Sequence, residues 1–317
     1  MYINDKKIKG ITCNSKKVND GYVFVAIEGK KIDGNDFIDE AIDNGAIIIF
    51  TNKDIYNKRI PIVKVKEPRK KLAKLLNEFY EYPTKGLIII GVTGTNGKTT
   101  TTYLIERLFK NAGYKTALIG TLGVKINDVE TLYELFSELK KIDIKVIILE
   151  VSSHALKFDM TYGVDFDAAI HTNIEVDHLD LHKSFDDYLN TRKILFDSLR
   201  RNRLAVINID DENGTKLLDG NKNALTITYG LNSKSSVTAS SINIQENLSF
   251  SVCIQRSIFT IEEKEYFSQE FNISTKLSEL YNVYNSLAAI SCALYFDIDI
   301  DIIQNSFKEI EGIPREI

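Results

Sequence analysis

The stretch Gly91-Val-Thr-Gly-Thr-Asn-Gly-Lys-Thr-Thr-Thr-Thr102 carries the residue types that hold phosphate. Backbone N–H groups of a glycine-rich turn and of a helix start converge on one spot, where the helix dipole also favours an anion. Gly94, Thr95, Asn96 and Gly97 would form the cradle, with Thr99 and Thr100 opening the helix. Lys98 would place a point charge on the outer phosphates, and Thr99 a hydroxyl on magnesium. The strict pattern G-x-x-x-x-G-K-[ST] is not met, because its first glycine falls at Val92 while this loop offers Gly91 and Gly94. An ordinary strand-to-helix turn beside a lysine would not call for two glycines, Lys98 and four successive threonines.

Two further polar clusters follow. Glu150 ends the apolar run Lys145-Val-Ile-Ile-Leu-Glu150, and Val151-Ser-Ser-His154 comes next. A carboxylate at the carboxyl end of such a strand is the usual partner of a nucleotide's Mg²⁺, which prefers oxygen ligands. The second cluster is His171-Thr-Asn-Ile-Glu-Val-Asp-His-Leu-Asp-Leu-His182, and all four histidines lie between 154 and 182. His178 and His182 have the spacing of a zinc pair, but no cysteine or third ligand supports it. A histidine near phosphate-bound magnesium is the better reading.

These residues need a scaffold, and the sequence predicts an α/β one. Gly86 to Gly91 reads as a buried strand, and Tyr103, Leu104, Leu108 and Phe109 recur at helical spacing behind the loop. From Lys85 onward strands and helices alternate with the period of a parallel sheet, with strands at 116–120, 145–150, 167–172, 204–208 and 225–228. Residues 235–275 switch to Ser/Thr-rich alternation, which predicts a small appended antiparallel sheet. Helices are expected at Leu277–Tyr295 and Asp299–Ile310. Residues 1–83 read as a separate small α/β domain, bounded by Tyr82-Pro83 where proline stops a helix. Residues 84–312 form the central domain of this reading, and 313–317 resemble the start of a hinge.

Composition narrows the function classes. The chain has 317 residues, enough for two cores. Its net charge of −4 gives no electrostatic case for nucleic acid. Cys13, Cys253 and Cys292 are too far apart for a metal cluster, and an odd sparse set suits a reducing compartment. No apolar run approaches the ~20 residues that cross a bilayer. The opening residues lack a signal-peptide core, so a cytoplasmic location is expected.

Taken together the motifs resemble a family. Thr93 to Thr100, Glu150-Val-Ser-Ser-His-Ala-Leu156, Thr172-Asn173 with Asp177-His-Leu-Asp180, and Tyr188-x₄-Lys193-x₂-Phe196 follow in the order seen in Mur ligases. Asn14 to Val18, Gly21 to Ala26, Asp33 to Phe37 and the closing Asn282-Val-Tyr-Asn285 are similar to the MurE type, the UDP-N-acetylmuramoyl-tripeptide synthetases. The resemblance implies ATP-dependent amide synthesis in peptidoglycan assembly, through an acyl phosphate. It further implies that residues 94–100 hold the phosphates and that Thr99, Glu150 and His178 surround Mg²⁺. Asn282 and Asn285 would lie on the adenine side. Ser15, Lys30 and Lys31 would contact the UDP end of a UDP-muramoyl peptide, and Ser152 its muramoyl-peptide end.

Four departures stand out against that pattern. The segment Gly123 to Leu132 lacks the family's Thr-Thr-Pro motif, and Met160 stands where an arginine is expected. Arg192 takes the place of a lysine that the family carbamylates, which puts a permanent cation where an anion belongs. Lys193 is adjacent but turned by about 100° on a helix. Fourth, the resemblance implies a C-terminal Rossmann-like domain bearing the amino-acid pocket, and the sequence is expected to need it from a separate domain or partner chain to complete ligation. The alternatives are a non-catalytic nucleotide-binding or regulatory relative, and an ATP-dependent ligase for another carboxylate.

Overall fold

Apolar runs build one parallel and one mixed sheet, each in its own unit. The structure is a computed structural model, and it describes residues 1–3, 5–29, 32–57, 59–126, 128–175, 181–221, 223–245 and 247–314. Lys30, Lys31, His178, Asp177 and Asp180 lie outside the described residues.

The first unit takes Met1–Lys85 together with Asn127–Glu138 and Phe158–Val164. It opens with an antiparallel pair, β1 (Tyr2–Ile3) and β2 (Lys6–Lys7). Four parallel strands follow in spatial order: β3 (Gly10–Thr12), β4 (Tyr22–Val25), β5 (Ala46–Thr51) and β6 (Ile62–Lys64). Successive strand residues face opposite sides, so the unit has two cores. Val23, Val25, Ile48 and Phe50 pack with Leu72, Ala73, Leu75 and Leu76 of one helix. Phe24, Ala26, Ala46 and Ile49 pack with Ile38, Ala41 and Ile42 of another. These helices are α1 (Ile38–Asp43) and α2 (Pro68–Phe79), the latter with proline in its first turn, where a missing N–H costs nothing. Tyr133 joins the α2 core and donates to the Tyr162 carbonyl at 2.8 Å, so the inserted segments are packed parts of this unit.

The second unit holds Gly86–Ile126, Leu139–Lys157 and Asp165–Ile317. Its elements run β7 (Ile88–Thr93), α3 (Lys98–Asn111), β8 (Thr116–Ile119), α4 (Val129–Lys141, mostly in the first unit), β9 (Val146–Glu150), α5 (Ser153–Lys157), β10 (Ala168–His171), α6 (Phe185–Asp197), β11 (Leu204–Asn208) and β12 (Leu225–Tyr229). Then come β13 (Val237–Ile244), β14 (Leu248–Ile254), a short hairpin of β15 (Ile258–Phe259) with β16 (Glu265–Tyr266), β17 (Gln269–Thr275), α7 (Tyr281–Tyr295) and α8 (Ile300–Glu309). One nine-stranded sheet results, in the order β17-β14-β13-β12-β11-β10-β7-β9-β8. The expected antiparallel strands are present and are continuous with the parallel ones, joined where Tyr229 pairs with Val237. α7 is buried almost all round, and its Leu287, Ile290 and Leu294 share a core with Leu104 and Leu108 of α3 and with Ile90, Val92 and Val206 of the sheet.

Strand order explains where a ligand can sit. The chain leaves β7 for the edge strand β8, returns to β9 beside β7, then crosses to β10 on the other side. That reversal opens a crevice at the carboxyl end of β7. Register brings Val92 level with Glu150 on one side, and Thr93 level with His171 on the other.

Candidate functional site

The loop after β7 is a turn that only glycine permits at two points. Gly97 has φ +81°, and a Cβ there would come within 2.4 Å of the Asn285 side-chain oxygen. A Cβ on Gly94 would lie 1.8 Å from the Thr172 hydroxyl. α3 starts directly after Gly97 with no side chain capping it, so its first N–H groups point into the crevice, a ready anion site. The Lys98 ammonium folds back over the loop, donating to the carbonyls of Gly94 and Thr95 at 2.8 Å each. Loop amides, an uncapped helix start and a lysine thus converge where phosphates are expected.

On the β9 side Glu150 is gripped by short polar partners. Thr99 Oγ1 donates to its Oε2 at 3.2 Å, Thr121 Oγ1 to the same oxygen at 3.1 Å, and the Thr121 N–H to Oε1 at 3.0 Å. Thr121 has no motif around it and the sequence reading missed it. Two residues past Glu150, Ser152 is exposed, and its hydroxyl accepts from the Ala155 N–H at the start of α5.

The β10 side braces the loop. Thr172 Oγ1 donates to the Asn96 carbonyl at 2.6 Å, and the Asn173 side chain accepts from Asn96 N–H at 2.9 Å while donating to Asn96 O at 3.1 Å. The Thr95 N–H donates to Asn173 O at 2.8 Å, and Glu175 N–H donates to Thr95 Oγ1 at 3.0 Å. These bonds tie the loop to the segment that follows β10. Behind that segment His171 is fully buried, and its Nε2 lies 2.8 Å from Asp211 Oδ2, which also accepts the Ile174 N–H at 2.6 Å. Burial pushes the His171 pKa below its ordinary value against the pull of Asp211, and the Arg192 charge adds to the lowering. Burial works to raise the Asp211 pKa, but the His171 contact and the N–H groups of Asn213 and Ile174 outweigh it and hold the carboxyl below the usual range. The pair is therefore a neutral imidazole donating from Nε2 to a carboxylate.

A cavity of about 730 Å³ opens beside the loop, within the range of small-molecule sites. Asn96, Gly97, Thr100 and Asn285 form one wall, and Glu175, Asp210, Asp211 and Glu212 another, with Tyr281 and Tyr284 also lining it. Tyr284 donates to Asp210 Oδ2 at 3.0 Å, and burial together with that carboxylate raises its pKa to about 12. Asn285 accepts from Thr101 Oγ1 at 3.3 Å, while Asn282 sits behind it, accepting from the Asn285 amide at 3.2 Å. Of the two asparagines, Asn285 is the one that lines the cavity. Asp210 and Asp211 were missed by the sequence reading, although they follow β11 just as Glu150 ends β9.

The remaining residues fall elsewhere. Ser15 belongs to the first unit, where it is buried and donates to Glu40 Oε2 at 2.7 Å. Met160 lies in the segment Phe158–Val164 of the same unit. His182 is buried with its ring 4.9 Å from that of Tyr188 and its Nδ1 3.7 Å from Asp187 Oδ2. Lys193 pairs with Asp197 at 2.5 Å one helical turn on, so Arg192 occupies the position under the loop and Lys193 does not replace it.

A mainly parallel sheet whose strand β7 feeds a glycine-rich loop and helix at the switch point defines a phosphate-loop α/β protein. Residues 92–293 match the Mur ligase middle domain, and residues 7–80 match the model described as Mur ligase family, catalytic domain. The chain belongs to the Mur ligase family. It is 37% identical to the UDP-N-acetylmuramoyl-L-alanyl-D-glutamate--2,6-diaminopimelate ligase of Clostridium botulinum, over 98% of this chain and 64% of that protein. The ligase of the same name from Oceanobacillus iheyensis is 34% identical, again over 98% of this chain and 64% of the relative. A solved structure of such a ligase, 23% identical, superposes with a TM-score of 0.82 over 97% of this chain and 64% of that one, which shows a shared fold. The chain thus spans about 64% of the length of these curated relatives. Among the described residues no helix is long and apolar enough to cross a membrane.

Proposed function

We propose that this chain binds ATP with Mg²⁺ and serves amide formation between a UDP-muramoyl dipeptide carboxylate and the amino group of an amino acid, in peptidoglycan precursor synthesis. The observation that carries it is the convergence of the uncapped α3 start, Lys98, Thr99 and Glu150 at the switch point. The MurE type is favoured by the names of the relatives, and the match of residues 7–80 to a second model supports the family as a whole. A cytoplasmic setting follows from that substrate. Residues 1–83 are proposed to receive the UDP-sugar end, through Ser15, Lys30 and Lys31, and Ser152 the muramoyl-peptide end; residues 84–312 are proposed to bind ATP.

The donor set suits a hard cation. Glu150 and the Thr99 hydroxyl are oxygen donors in contact, and the Thr121 hydroxyl rests on the same Glu150 oxygen; oxygen donors are what Mg²⁺ selects. Thr99 and Glu150 would hold it, with His178 the third residue proposed, and the ion would neutralise charge on the phosphates. The chain's own part is positioning and electrostatics. Loop N–H groups and the Lys98 ammonium hold the outer phosphates. A substrate carboxylate oxygen attacks the γ-phosphorus, the bond to ADP breaks, and an acyl phosphate results. The amine nitrogen then attacks the acyl carbon, phosphate leaves, and the nitrogen sheds its proton. The cavity beside Asn96 and Asn285 would take the adenosine, with Asn282 supporting Asn285 from behind.

The test begins with binding. Mg·ATP is expected to raise the melting temperature of the 317-residue chain, and Lys98→Ala to remove the rise; a chain indifferent to Mg·ATP overturns the reading. The amide step is assayed separately with ATP, the UDP-muramoyl dipeptide and diaminopimelate or lysine. ADP release that needs both acceptor substrates supports it, whereas ATP turnover indifferent to the dipeptide excludes that substrate.

A further inference from the structure

Among the described residues the largest fully buried side chain is a cation, Arg192 of α6. Arginine is almost never fully buried unless it is paired, and here both terminal nitrogens donate to groups on and beside the elements that carry the phosphate loop. We propose that Arg192 is a positioning residue for that loop, fixing the direction of two hydroxyl chains that hold it. The proposal rests on the nucleotide reading above.

A guanidinium only donates, so every hydroxyl it reaches must turn its own proton elsewhere. Nη1 donates to Thr93 Oγ1 at 2.5 Å, and the Thr93 proton goes to the Val151 carbonyl at 2.7 Å. This chain ties the last residue of β7 to the residue after β9. Nη2 donates to the Tyr188 hydroxyl at 2.6 Å, and Tyr188 Oη lies 3.1 Å from Thr95 Oγ1. With Arg192 as donor, the Tyr188 proton points at Thr95. Thr95 Oγ1 already accepts the Glu175 N–H at 3.0 Å, which leaves its own proton for the Glu175 carbonyl at 3.3 Å. The second chain therefore ties the loop itself to the segment after β10. The guanidinium carbon lies 4.9 Å from the centroid of the Tyr188 ring, which fixes the plane from which both donors leave. A lysine offers no planar fork at this position, and a neutral side chain would not order the hydroxyl protons.

Two readouts test this on the full chain: Mg·ADP affinity by calorimetry, and exchange of the Thr95 and Glu175 amide protons without nucleotide. Arg192→Met, similar in length but without donors, is expected to weaken Mg·ADP by about tenfold to hundredfold and to speed exchange at both amides. Tyr188→Phe removes only the second chain and is expected to give a smaller loss. The double variant should bind no more weakly than Arg192→Met, because the second chain is already broken. In Arg192→Ala, added guanidinium ion should restore affinity while leaving the wild type unchanged. Wild-type affinity and exchange in Arg192→Met overturn the proposal, and so do losses that add in the double variant. Should the Arg192 variants fail to fold, unchanged Glu175 exchange in Tyr188→Phe overturns it. A wild-type chain that binds no Mg·ADP overturns the nucleotide reading instead, and the exchange rates then decide the bracing alone.

Discussion

The two flanks of β7 use similar residues for different ends. On the β9 flank, Glu150 keeps contacts of 3.0 to 3.2 Å with Thr99 and Thr121 and remains partly exposed. On the β10 flank, Thr172 and His171 are buried, and the bonds from Thr172 to Asn96 and from Ile174 to Asp211 are 2.6 Å. A hydroxyl resting on a partly exposed carboxylate can be exchanged for a cation at little cost. A buried polar group that loses its partner forfeits its full desolvation energy. With Mg²⁺ held as proposed, the β9 flank changes partners on binding and the β10 flank stays.

The contrast is easiest to break where the loop meets the rigid flank. In Gly94→Ala the new Cβ would overlap the Thr172 hydroxyl at 1.8 Å and crowd the Asn173 backbone at 3.0 Å. Either the Thr172–Asn96 bond or the loop must give way. A loss of about 3 kcal/mol in urea unfolding is expected, the scale of steric overpacking combined with a broken buried network. A loss below about 0.5 kcal/mol would mean that the β10 flank yields as readily as the other.

The rigid flank should also carry an acid signature. The folded pKa of His171 lies below the ordinary 6.5, so below pH 6.5 the unfolded chain takes up a proton that the folded chain refuses. The stability linked to this group is complete above pH 6.5 and is lost as pH falls toward the folded value, at up to ~1.4 kcal/mol per pH unit. Asp211 has the same sign, but its window opens only below the ordinary carboxylate value of 3.8. His171→Asn keeps an amide to face Asp211 and removes the titration. Its unfolding free energy should therefore fall less steeply than that of the wild type between about pH 6.5 and 5. Parallel curves would show that the buried pair does not shape acid stability.

On the exchangeable flank, Glu150→Gln keeps the shape and removes the charge. Stability is expected to stay within about 0.5 kcal/mol, because the site is partly exposed. The Mg²⁺ concentration needed for half-maximal ADP binding should rise about tenfold, since a neutral amide is a poorer ligand for a hard cation. Unchanged Mg²⁺ dependence would take Glu150 out of the metal site.

How legible each flank was in the sequence follows from how local its signal is. The loop and Glu150 could be read because an apolar strand ending on polar residues is a local pattern. Asp210 and Asp211 carry the same signal after β11, yet their place beside the loop depends on β10 and β11 being neighbours, which is a matter of strand order. The antiparallel strands announced their alternation, but alternation does not say which edge they join; the single pairing of Tyr229 with Val237 decides that. Arg192 drew notice only because it stands where the family pattern has a lysine. That its guanidinium is buried beneath the loop follows from the packing of α6, and arginine on a helix is ordinarily read as solvated.

Thr121 gave no signal at all, and it supplies the finest test of the contrast between the flanks. Its hydroxyl and its N–H both reach Glu150, at 3.1 and 3.0 Å. Thr121→Val keeps the branched shape and the backbone donor and deletes the hydroxyl bond. If the β9 flank is exchangeable, the cost without ligand should be below about 1 kcal/mol, the net worth of one hydrogen bond that water can replace. Because the valine leaves one Glu150 oxygen less engaged, Mg²⁺ affinity should hold or improve slightly. A larger loss of stability than in Gly94→Ala would invert the picture, making the Glu150 cluster the framework and the loop's other flank the adaptable side.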